Sequence, residues 1–234
     1  ERTQFQHIFS TPPTTPWWVT ISTHIHLTVS YGFLPCAFLV EYSFGMKRLL
    51  PILLLVFSVG VGAYDEHDLK KLKTTNECPK CDLSQANLTG AYLRGANLTG
   101  ANLTEADLTG ASFYRVNLTN AYLTGANLYK ANLEVVNLTG ANLTGANLED
   151  TNLQEASLAG VDLTKAYLEA TDLTGANLTM ANLTGTVLEG TNLENADLTD
   201  AVLTDAKLMW VKNLNKAILC RTTMPDGTVN NSGC

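Results

Sequence analysis

The sequence has few of the side chains that carry out catalysis. Histidine occurs four times in 234 residues, and His67 is the only histidine after residue 63. No serine–histidine–aspartate arrangement and no glycine-rich phosphate loop can be recognised. Acidic residues are common, but the pattern described below places them at outward positions. The sequence therefore indicates a protein that is not an enzyme, with no catalytic residue, no metal site and no cofactor.

Long hydrophobic runs are also missing. The segment Leu49–Val61 has 13 mostly apolar residues, which is short for a membrane span. It follows Met46-Lys47-Arg48 and leads into Val-Gly-Ala, the arrangement of a signal peptide with a cleavage site near Ala63. We therefore predict a signal peptide over residues 46–63. The mature chain is then exported to the periplasm, a lumen or the cell exterior, and it spans no membrane.

Residues 1–45 precede the predicted signal peptide. They contain apolar stretches interrupted by His, Pro and Glu. The simpler interpretation is that translation starts at Met46 and that these residues are an untranslated or disordered upstream extension. The alternative is a genuine N-terminal extension with a membrane segment near Trp17–Val40.

A period of five residues dominates the rest of the chain. Every fifth residue from Leu83 to Leu208 is leucine, except Phe113, which gives 26 centres in unbroken register. Alanine, or Val, Thr or Cys in its place, precedes nearly every centre by two positions. Mostly Asn or Asp stands between them, and Thr-Gly often follows the centre. A fixed internal period is the signature of a repeat architecture.

This period excludes a regular helix and a straight strand. A step of five rotates successive leucines by about 140° around a helix, and it sends alternate leucines to opposite faces of a strand. A short strand followed by a corner resolves the pattern, because residues i−2 and i then point inward and residue i−1 points outward. The two residues after the centre turn the chain, where glycine tolerates a positive φ.

The motif resembles A(D/N)LXX of the pentapeptide repeat family, which residues 81–210 match at nearly every position. The resemblance implies an all-β fold, a right-handed quadrilateral parallel β-helix. Four repeats would close one coil of about 20 residues. Leu and Ala would fill the interior, and backbone hydrogen bonds would join successive coils as in a parallel sheet.

Two cysteines stand where the repeat begins. Counting back by fives puts Cys78 on the leucine position and Cys81 on the alanine position, so both should point inward. A zinc site would need four ligands, and no second CxxC or histidine pair is present. A redox CxxC would need a thioredoxin-like context that is missing. The pair is therefore either two small buried residues or a structural disulfide, which an exported protein favours. Residues 64–80, with a short amphipathic turn over Asp65–Leu72, are interpreted as an N-terminal linker or cap.

The register slips by one residue after Leu208. The slip predicts a one-residue insertion within Met209–Asn213, and residues 211–234 form a degenerate last coil and a C-terminal cap. Three bulky side chains are expected to plug the last coil: Met209, Trp210 and Val211. The tail resembles the closing segment of exported pentapeptide repeat proteins, and CPKCDLSQANL resembles their opening segment. That resemblance implies a disulfide between Cys220 and Cys234.

Acidic residues outnumber basic ones in the repeats. Residues 81–210 contain 15 Asp and Glu against 5 Lys and Arg, a net charge of −10. Because residues 20 apart should stack on one face, six residues form a candidate interaction face: Glu149, Asp150, Tyr167, Glu169, Val187 and Glu189. Like charges on neighbouring strands are destabilising. This acidic column is therefore either the result of neutral sequence drift that the fold tolerates, or a surface retained to bind a cationic partner.

A second column contains only hydroxyl side chains: Ser84, Thr104, Thr124, Thr144, Thr164, Thr184 and Thr204. β-branched residues stack well at corners, so this threonine column can be explained by structure alone. The alternative is a flat rank of hydroxyls that binds ice, a glycan or a mineral.

Three functions follow. The first is a non-catalytic exported scaffold or protein-interaction module with an acidic surface, a monomer or end-to-end dimer whose partner is an unidentified protein or surface and not nucleic acid. The second, implied by the resemblance, is mimicry of DNA by an inhibitor or protector of a topoisomerase such as gyrase. The signal peptide and the cysteines argue against it. The third is surface binding through the threonine column.

Overall fold

The computed structural model describes residues 64–234. Parallel bridges join each outward residue i−1 to the residue 20 positions later, from Glu77–Asn97 to Asn192–Lys212. Four pentapeptides therefore complete one coil, as predicted, and each coil stacks on the one before it. The predicted signal peptide over 46–63 and the upstream residues 1–45 lie outside the described residues.

Two sets of backbone hydrogen bonds define each coil. Between coils, the amide of Leu143 donates to the carbonyl of Asp162 at 2.7 Å, and the amide of Asp162 donates back to Ala141 at 3.0 Å. At each corner the chain makes a four-residue turn, in which the amide of Ala146 donates to the carbonyl of Leu143 at 3.0 Å. The third residue of this turn, Gly145, has φ +65°, as a type II turn requires. The predicted strand-and-corner unit is therefore confirmed.

The interior is a continuous column of leucine and alanine. Every centre from Leu83 to Leu203 is buried, and Phe113 replaces one leucine without leaving the core. Threonine replaces alanine at five buried positions, where its hydroxyl would cost free energy if left unpaired. Each of these hydroxyls donates to the carbonyl of a centre one coil earlier, as in the 2.6 Å bond from Thr171 to Leu148. The five buried threonine hydroxyls of the core are therefore all hydrogen-bonded.

A helix closes the N-terminal end of the shaft. Helix α1, Glu66–Thr75, begins at Asp65, whose Oδ1 accepts the amide of His67 at 2.8 Å. It buries Leu72 completely against the first coil. The carboxylate of Asp68 also accepts the amide of Asp82 at 2.9 Å and so fastens the helix to that coil. The helix extends further than the short turn that the sequence indicated.

A short hairpin follows the last coil at the C-terminal end. A 3₁₀ turn, Leu214–Lys216, leads into β1, Thr222–Thr223, which pairs antiparallel with β2, Val229–Asn230. Neither helical segment within residues 64–234 has the length and hydrophobicity needed to cross a membrane.

The structure places the inserted residue at the C-terminal end of the predicted range Met209–Asn213 or just beyond it. The bridge Asn192–Lys212 still spans 20 positions, whereas Asp197–Ile218 spans 21. The extra residue is therefore taken up after Lys212, from Asn213 into the 3₁₀ turn. In the regular repeat, the residue with a positive φ is the second corner residue after the centre. Asn213 adopts φ +57° two positions before the next such corner residue would occur, and this local change shifts the register.

The prediction that Met209, Trp210 and Val211 plug the last coil was wrong. The register is unbroken here, so Met209 and Trp210 are the two corner residues after the centre Leu208. Corner side chains point outward, and Met209 is 53% and Trp210 76% exposed. Val211 packs partly against the core instead.

Candidate interaction face

The six predicted residues of the candidate interaction face lie on one side of the shaft and its adjoining corner. Asn147, Tyr167 and Val187 stack as successive bridge partners on the flat side. Glu149, Glu169 and Glu189 follow the centres of the same three coils and stack along the corner. The backbone joins these glutamates, since the amides of Asp150 and Ala170 donate to the carbonyls of Glu169 and Glu189 at 2.9 Å.

A shallow groove of about 300 Å³ runs along part of this face. Tyr167, Glu149 and Glu169 line it, together with Asn147 and the corner glycines Gly125 and Gly145. The glycines leave that wall low because they carry no side chain. Of the predicted residues, Asp150, Val187 and Glu189 lie outside the groove, so the structure brings only half of the predicted set together.

The carboxylates of this groove have no cationic partner within the described chain. Among residues 64–234, no lysine or arginine nitrogen lies within 4.0 Å of a carboxylate oxygen of Glu149, Glu169 or Glu189. One oxygen of Glu169, Oε2, is shielded from solvent and accepts no hydrogen bond. An unpaired buried acceptor costs on the order of 1–3 kcal/mol.

One lysine stands at the N-terminal end of the acidic column. The ammonium of Lys130 lies 4.8 Å from the centre of the Tyr129 ring. The hydrogen bond with Tyr129, and more weakly the carboxylates of Asp150 and Glu149, raise the pKa of Lys130 above its ordinary value. Lys130 therefore marks the N-terminal limit of the acidic column, which continues from Glu149 and Asp150 towards the C-terminal end of the shaft.

The threonine column lies on the corner before this face, and all seven of its residues are half-buried. Its hydroxyls are partly used within the shaft. The hydroxyls of Thr164 and Thr184 donate to Asp162 and Asn182 at 2.6 and 2.7 Å. The Asn182 amide in turn donates to Thr164 at 2.9 Å. These bonds favour the structural interpretation of the column over binding through free hydroxyls.

Both pairs of cysteines are joined. The sulfur atoms of Cys78 and Cys81 lie 2.06 Å apart, and those of Cys220 and Cys234 lie 2.20 Å apart. Asp68 is close enough to Cys78 and Cys81 to complete a three-residue metal cluster. The disulfide occupies both thiols, however, and metal ligation needs free thiolates. The arrangement is therefore a structural link beneath helix α1.

The sequence analysis missed the local role of the outward Asn and Asp residues. In most repeats the side-chain oxygen accepts the amide two residues later, as Asn142 does from Thr144 at 2.9 Å. This Asx turn preforms the corner. Where the outward residue is an aspartate, the same bonds also change its pKa. The hydrogen bonds from the side chain and the amide of Thr109 lower the pKa of Asp107 below its ordinary value. The signal was present in the Asn/Asp-Leu-Thr order of the repeat.

A cluster of arginine and tyrosine near the N-terminal end was also missed. The guanidinium groups of Arg94 and Arg115 lie 4.4 and 5.1 Å from the centre of the Tyr114 ring. Arg94 also donates to the hydroxyl of Tyr92 at 3.3 Å. The signal was available, because Arg94 and Tyr114 are 20 positions apart. This cluster lies on the corner that follows the acidic column round the coil, where Glu134 and Glu194 occupy the same position in later coils.

Comparisons with known proteins agree with this geometry. The family model described as "Pentapeptide repeats" matches in eight copies, through residues 81–120, 117–154, 141–179, 151–190 and 176–212. The search of curated proteins found no match.

Solved structures with similar folds include HetL from the cyanobacterium Nostoc, described as a regulator of heterocyst differentiation. It is 34% identical over 66% of this chain and 76% of its own, with a TM-score of 0.38. Rfr23 from Cyanothece 51142 is 28% identical over 64% of this chain and 96% of its own, with a TM-score of 0.35. QnrB1, a plasmid-mediated fluoroquinolone resistance protein, is 23% identical over 57% and 72%, with a TM-score of 0.43.

The fold is a right-handed quadrilateral β-helix of stacked pentapeptide coils. Because the family model matches more than half of the chain, the protein belongs to the pentapeptide repeat family. Members of this family are generally non-catalytic scaffolds, and the fold of this protein is a repeat scaffold.

Proposed function

We propose that the protein is an exported, non-catalytic interaction module that binds a cationic partner along its acidic column. The observation that carries the proposal is the groove beside Tyr167, in which Glu149 and Glu169 have no cationic partner among residues 64–234. A lysine or arginine side chain in this groove would meet two carboxylates and the face of an aromatic ring. Both interactions attract cations.

The position of the groove supports a side-chain ligand. The corner glycines leave one wall low, so a long cationic side chain can enter from the threonine column. Glu189 continues the negative charge one coil beyond the groove and would attract a second cation of the same partner. A basic segment lying along the shaft therefore fits better than a single small cation.

Export is supported by the two disulfides, which form and persist in oxidising compartments. Cell fractionation of the expressed chain tests this part separately. Recovery from the periplasm, a lumen or the medium, with all four cysteines oxidised, would agree with the proposal. Retention in a reducing compartment would contradict it.

Binding is tested with a lysine-rich peptide as the probe, by titration calorimetry at low and high salt. The triple variant Glu149→Gln, Glu169→Gln, Glu189→Gln should lose most of the affinity. The control variant Glu105→Gln, Glu134→Gln, Glu155→Gln removes the same charge from other corners and should lose much less. Equal losses would show that net charge alone attracts the probe.

Mimicry of DNA is the second candidate, since the net charge of −10 over residues 81–210 would also attract the cationic groove of a DNA-binding enzyme. A supercoiling assay with gyrase separates the two. Binding to gyrase with protection or inhibition, abolished by the triple variant, would favour mimicry over a partner outside the cytoplasm.

A further inference from the structure

Basic and aromatic side chains form a second charged surface, separate from the acidic column. Residues 81–210 contain only five basic residues and five tyrosines, and three of each lie around one side of the first coils. We term this set the basic–aromatic patch. Its six residues are Tyr92, Arg94, Tyr114, Arg115, Tyr129 and Lys130. The patch stands out on a shaft whose repeats carry a net charge of −10.

The repeat brings the six residues of the patch together. Tyr92 lies on the flat side of its coil, and Ser112 and then Asn132 follow it as successive bridge partners. The two arginines lie on the corner after this side, and the lysine lies on the corner before it. Segments 89–95, 109–115 and 129–132, which make up this surface, contain no Asp or Glu. The surface is therefore free of acid over a height of two coil spacings, each roughly 4.8 Å.

The tyrosines hold the guanidinium groups in place. Arg94 lies 4.4 Å from the centre of the Tyr114 ring and donates to the hydroxyl of Tyr92 at 3.3 Å. Arg115 lies 5.1 Å from the centre of the same ring. Among residues 64–234, no carboxylate oxygen lies within 4.0 Å of either arginine. Because these contacts occupy mainly the flat faces of the guanidinium groups, N–H donors at their edges remain available for an oxyanion.

The flat side next to the arginines suits a sugar ring. Tyr92 is 72% exposed, so its aromatic ring is open to solvent. Ser112 presents a hydroxyl one coil later. Asn132 accepts the amide of Glu134 at 3.0 Å through its Oδ1, which leaves its Nδ2 donors available within the described chain. An aromatic ring beside a hydroxyl and an amide offers an apolar surface for a sugar face and hydrogen-bonding groups for its hydroxyls.

The surroundings of the patch limit the charge of a ligand. Glu134 borders the patch on one corner, and Glu149 and Asp150 border it on the other. A nucleic acid carries a phosphate on every nucleotide, so its further charges would lie against these carboxylates. A short ligand with a few carboxylates can pair with the arginines and end before the acidic border.

We propose that the basic–aromatic patch binds an acidic oligosaccharide, a short chain of sugars that carry carboxylates. A carboxylate accepts paired N–H bonds from Arg94 or Arg115, the geometry that guanidinium groups favour. The adjoining sugar ring packs on Tyr92, and Ser112 and Asn132 bond to its hydroxyls. The site is independent of the cationic partner proposed for the acidic column, so the shaft has two binding surfaces of opposite charge.

Titration calorimetry of the full chain at low salt tests the site, with a short oligomer of galacturonic acid as the probe. The double variant Arg94→Gln, Arg115→Gln should lose roughly tenfold or more in affinity, because it removes charge-assisted hydrogen bonds. Glutamine suits the positive φ of the second corner residue, since Gln85 has φ +58° there.

The matched control is the double variant Lys165→Gln, Lys207→Gln. It removes the same charge from two exposed lysines in later coils. It should bind the galacturonate oligomer as the unchanged chain does. Circular dichroism of all variants confirms that each remains folded.

A second pair of measurements separates a sugar from a simple anion. A glutamate peptide with the same number of carboxylates has no sugar rings and should bind several-fold more weakly than the galacturonate oligomer. Tyr92→Ser introduces the residue that Ser112 already provides at the equivalent position, so the fold should be kept. This variant should weaken binding of the galacturonate oligomer and leave binding of the peptide unchanged.

Four results would overturn the inference. The first is no binding of the galacturonate oligomer, and the second is an equal loss in the two double variants, which would leave net charge as the only cause. The third is a Tyr92→Ser variant that binds the oligomer as the unchanged chain does. The fourth is a glutamate peptide or a short oligonucleotide that binds as tightly as the galacturonate oligomer, since the ligand would then be an acidic protein segment or a nucleic acid.

Discussion

The two ends of the shaft are closed by different interactions. At the N-terminal end, helix α1 buries Leu72 completely over the first coil. At the C-terminal end, the tail is held by the Cys220–Cys234 disulfide, while Leu214 and Ala217 remain only partly buried. The comparison shows that apolar burial dominates at the N-terminal end, where the Cys78–Cys81 disulfide spans only three positions. At the C-terminal end, a disulfide that closes a longer loop and two ion pairs, Lys216–Glu194 and Arg221–Asp200, make the larger contribution. Substitutions at each end can separate the contribution of burial from that of the covalent and ionic links.

The largest effect is expected from Leu72→Ala. Removing a fully buried leucine leaves a cavity beneath helix α1 and should lower the free energy of unfolding by about 2–5 kcal/mol. Leu214→Ala at the other end should cost clearly less, because its side chain is partly exposed already. Urea denaturation followed by circular dichroism measures both. Equal losses would mean that burial contributes similarly at the two ends.

For the disulfides, we expect the larger loss of stability at the C-terminal end, the opposite of the order expected for the leucine variants. Cys220 and Cys234 are separated by 14 positions and Cys78 and Cys81 by three. Because the loss of unfolded-state entropy grows with loop length, replacing the C-terminal pair by alanine should cost about 3 kcal/mol. Replacing the N-terminal pair should cost roughly half as much by the same relation. Melting temperatures of the two double variants test this order, and a larger loss at the N-terminal end would contradict it.

The smallest effect is a pH dependence of the ion pair at the C-terminal end. Hydrogen bonds from Arg221 lower the pKa of Asp200 below its ordinary value. Its stabilising contribution is therefore present above about pH 4, the unfolded-state pKa, and is lost as the pH falls through the lower folded-state pKa. The urea midpoint of Asp200→Asn should lie below that of the unchanged chain at neutral pH and should match it in strong acid.

The control for this pH dependence is Glu134→Gln, which removes a carboxylate without an ion pair within 4.0 Å in residues 64–234. It should show no comparable difference at neutral pH. A difference for Asp200→Asn that persists unchanged in strong acid would mean that the ion pair with Arg221 is not its source.

The middle of the shaft was predictable because every repeat imposes the same requirement. A leucine such as Leu143 can be buried at a period of five only if the chain turns after each short strand, so one motif determines 26 positions. The stacking of Glu149, Glu169 and Glu189 followed from the same spacing. The groove beside them did not, because it depends on which corners have glycine and on how Tyr167 is oriented.

The ends were less predictable because nothing repeats there. Met209 and Trp210 are bulky and apolar, which suggested burial, but their corner position decides that they point outward. The place of the inserted residue depends on a single backbone conformation, the positive φ of Asn213.

The coil length of 20 residues has a consequence for how such a chain can change by duplication. Copying four consecutive repeats would add one layer and leave every surface column aligned with itself. Copying a single repeat would instead turn everything beyond it by a quarter of a circle. The acidic column would then be broken across two sides, and the C-terminal hairpin would point in a new direction relative to it. Gain and loss of whole layers is therefore the change that keeps the surfaces of this molecule in line.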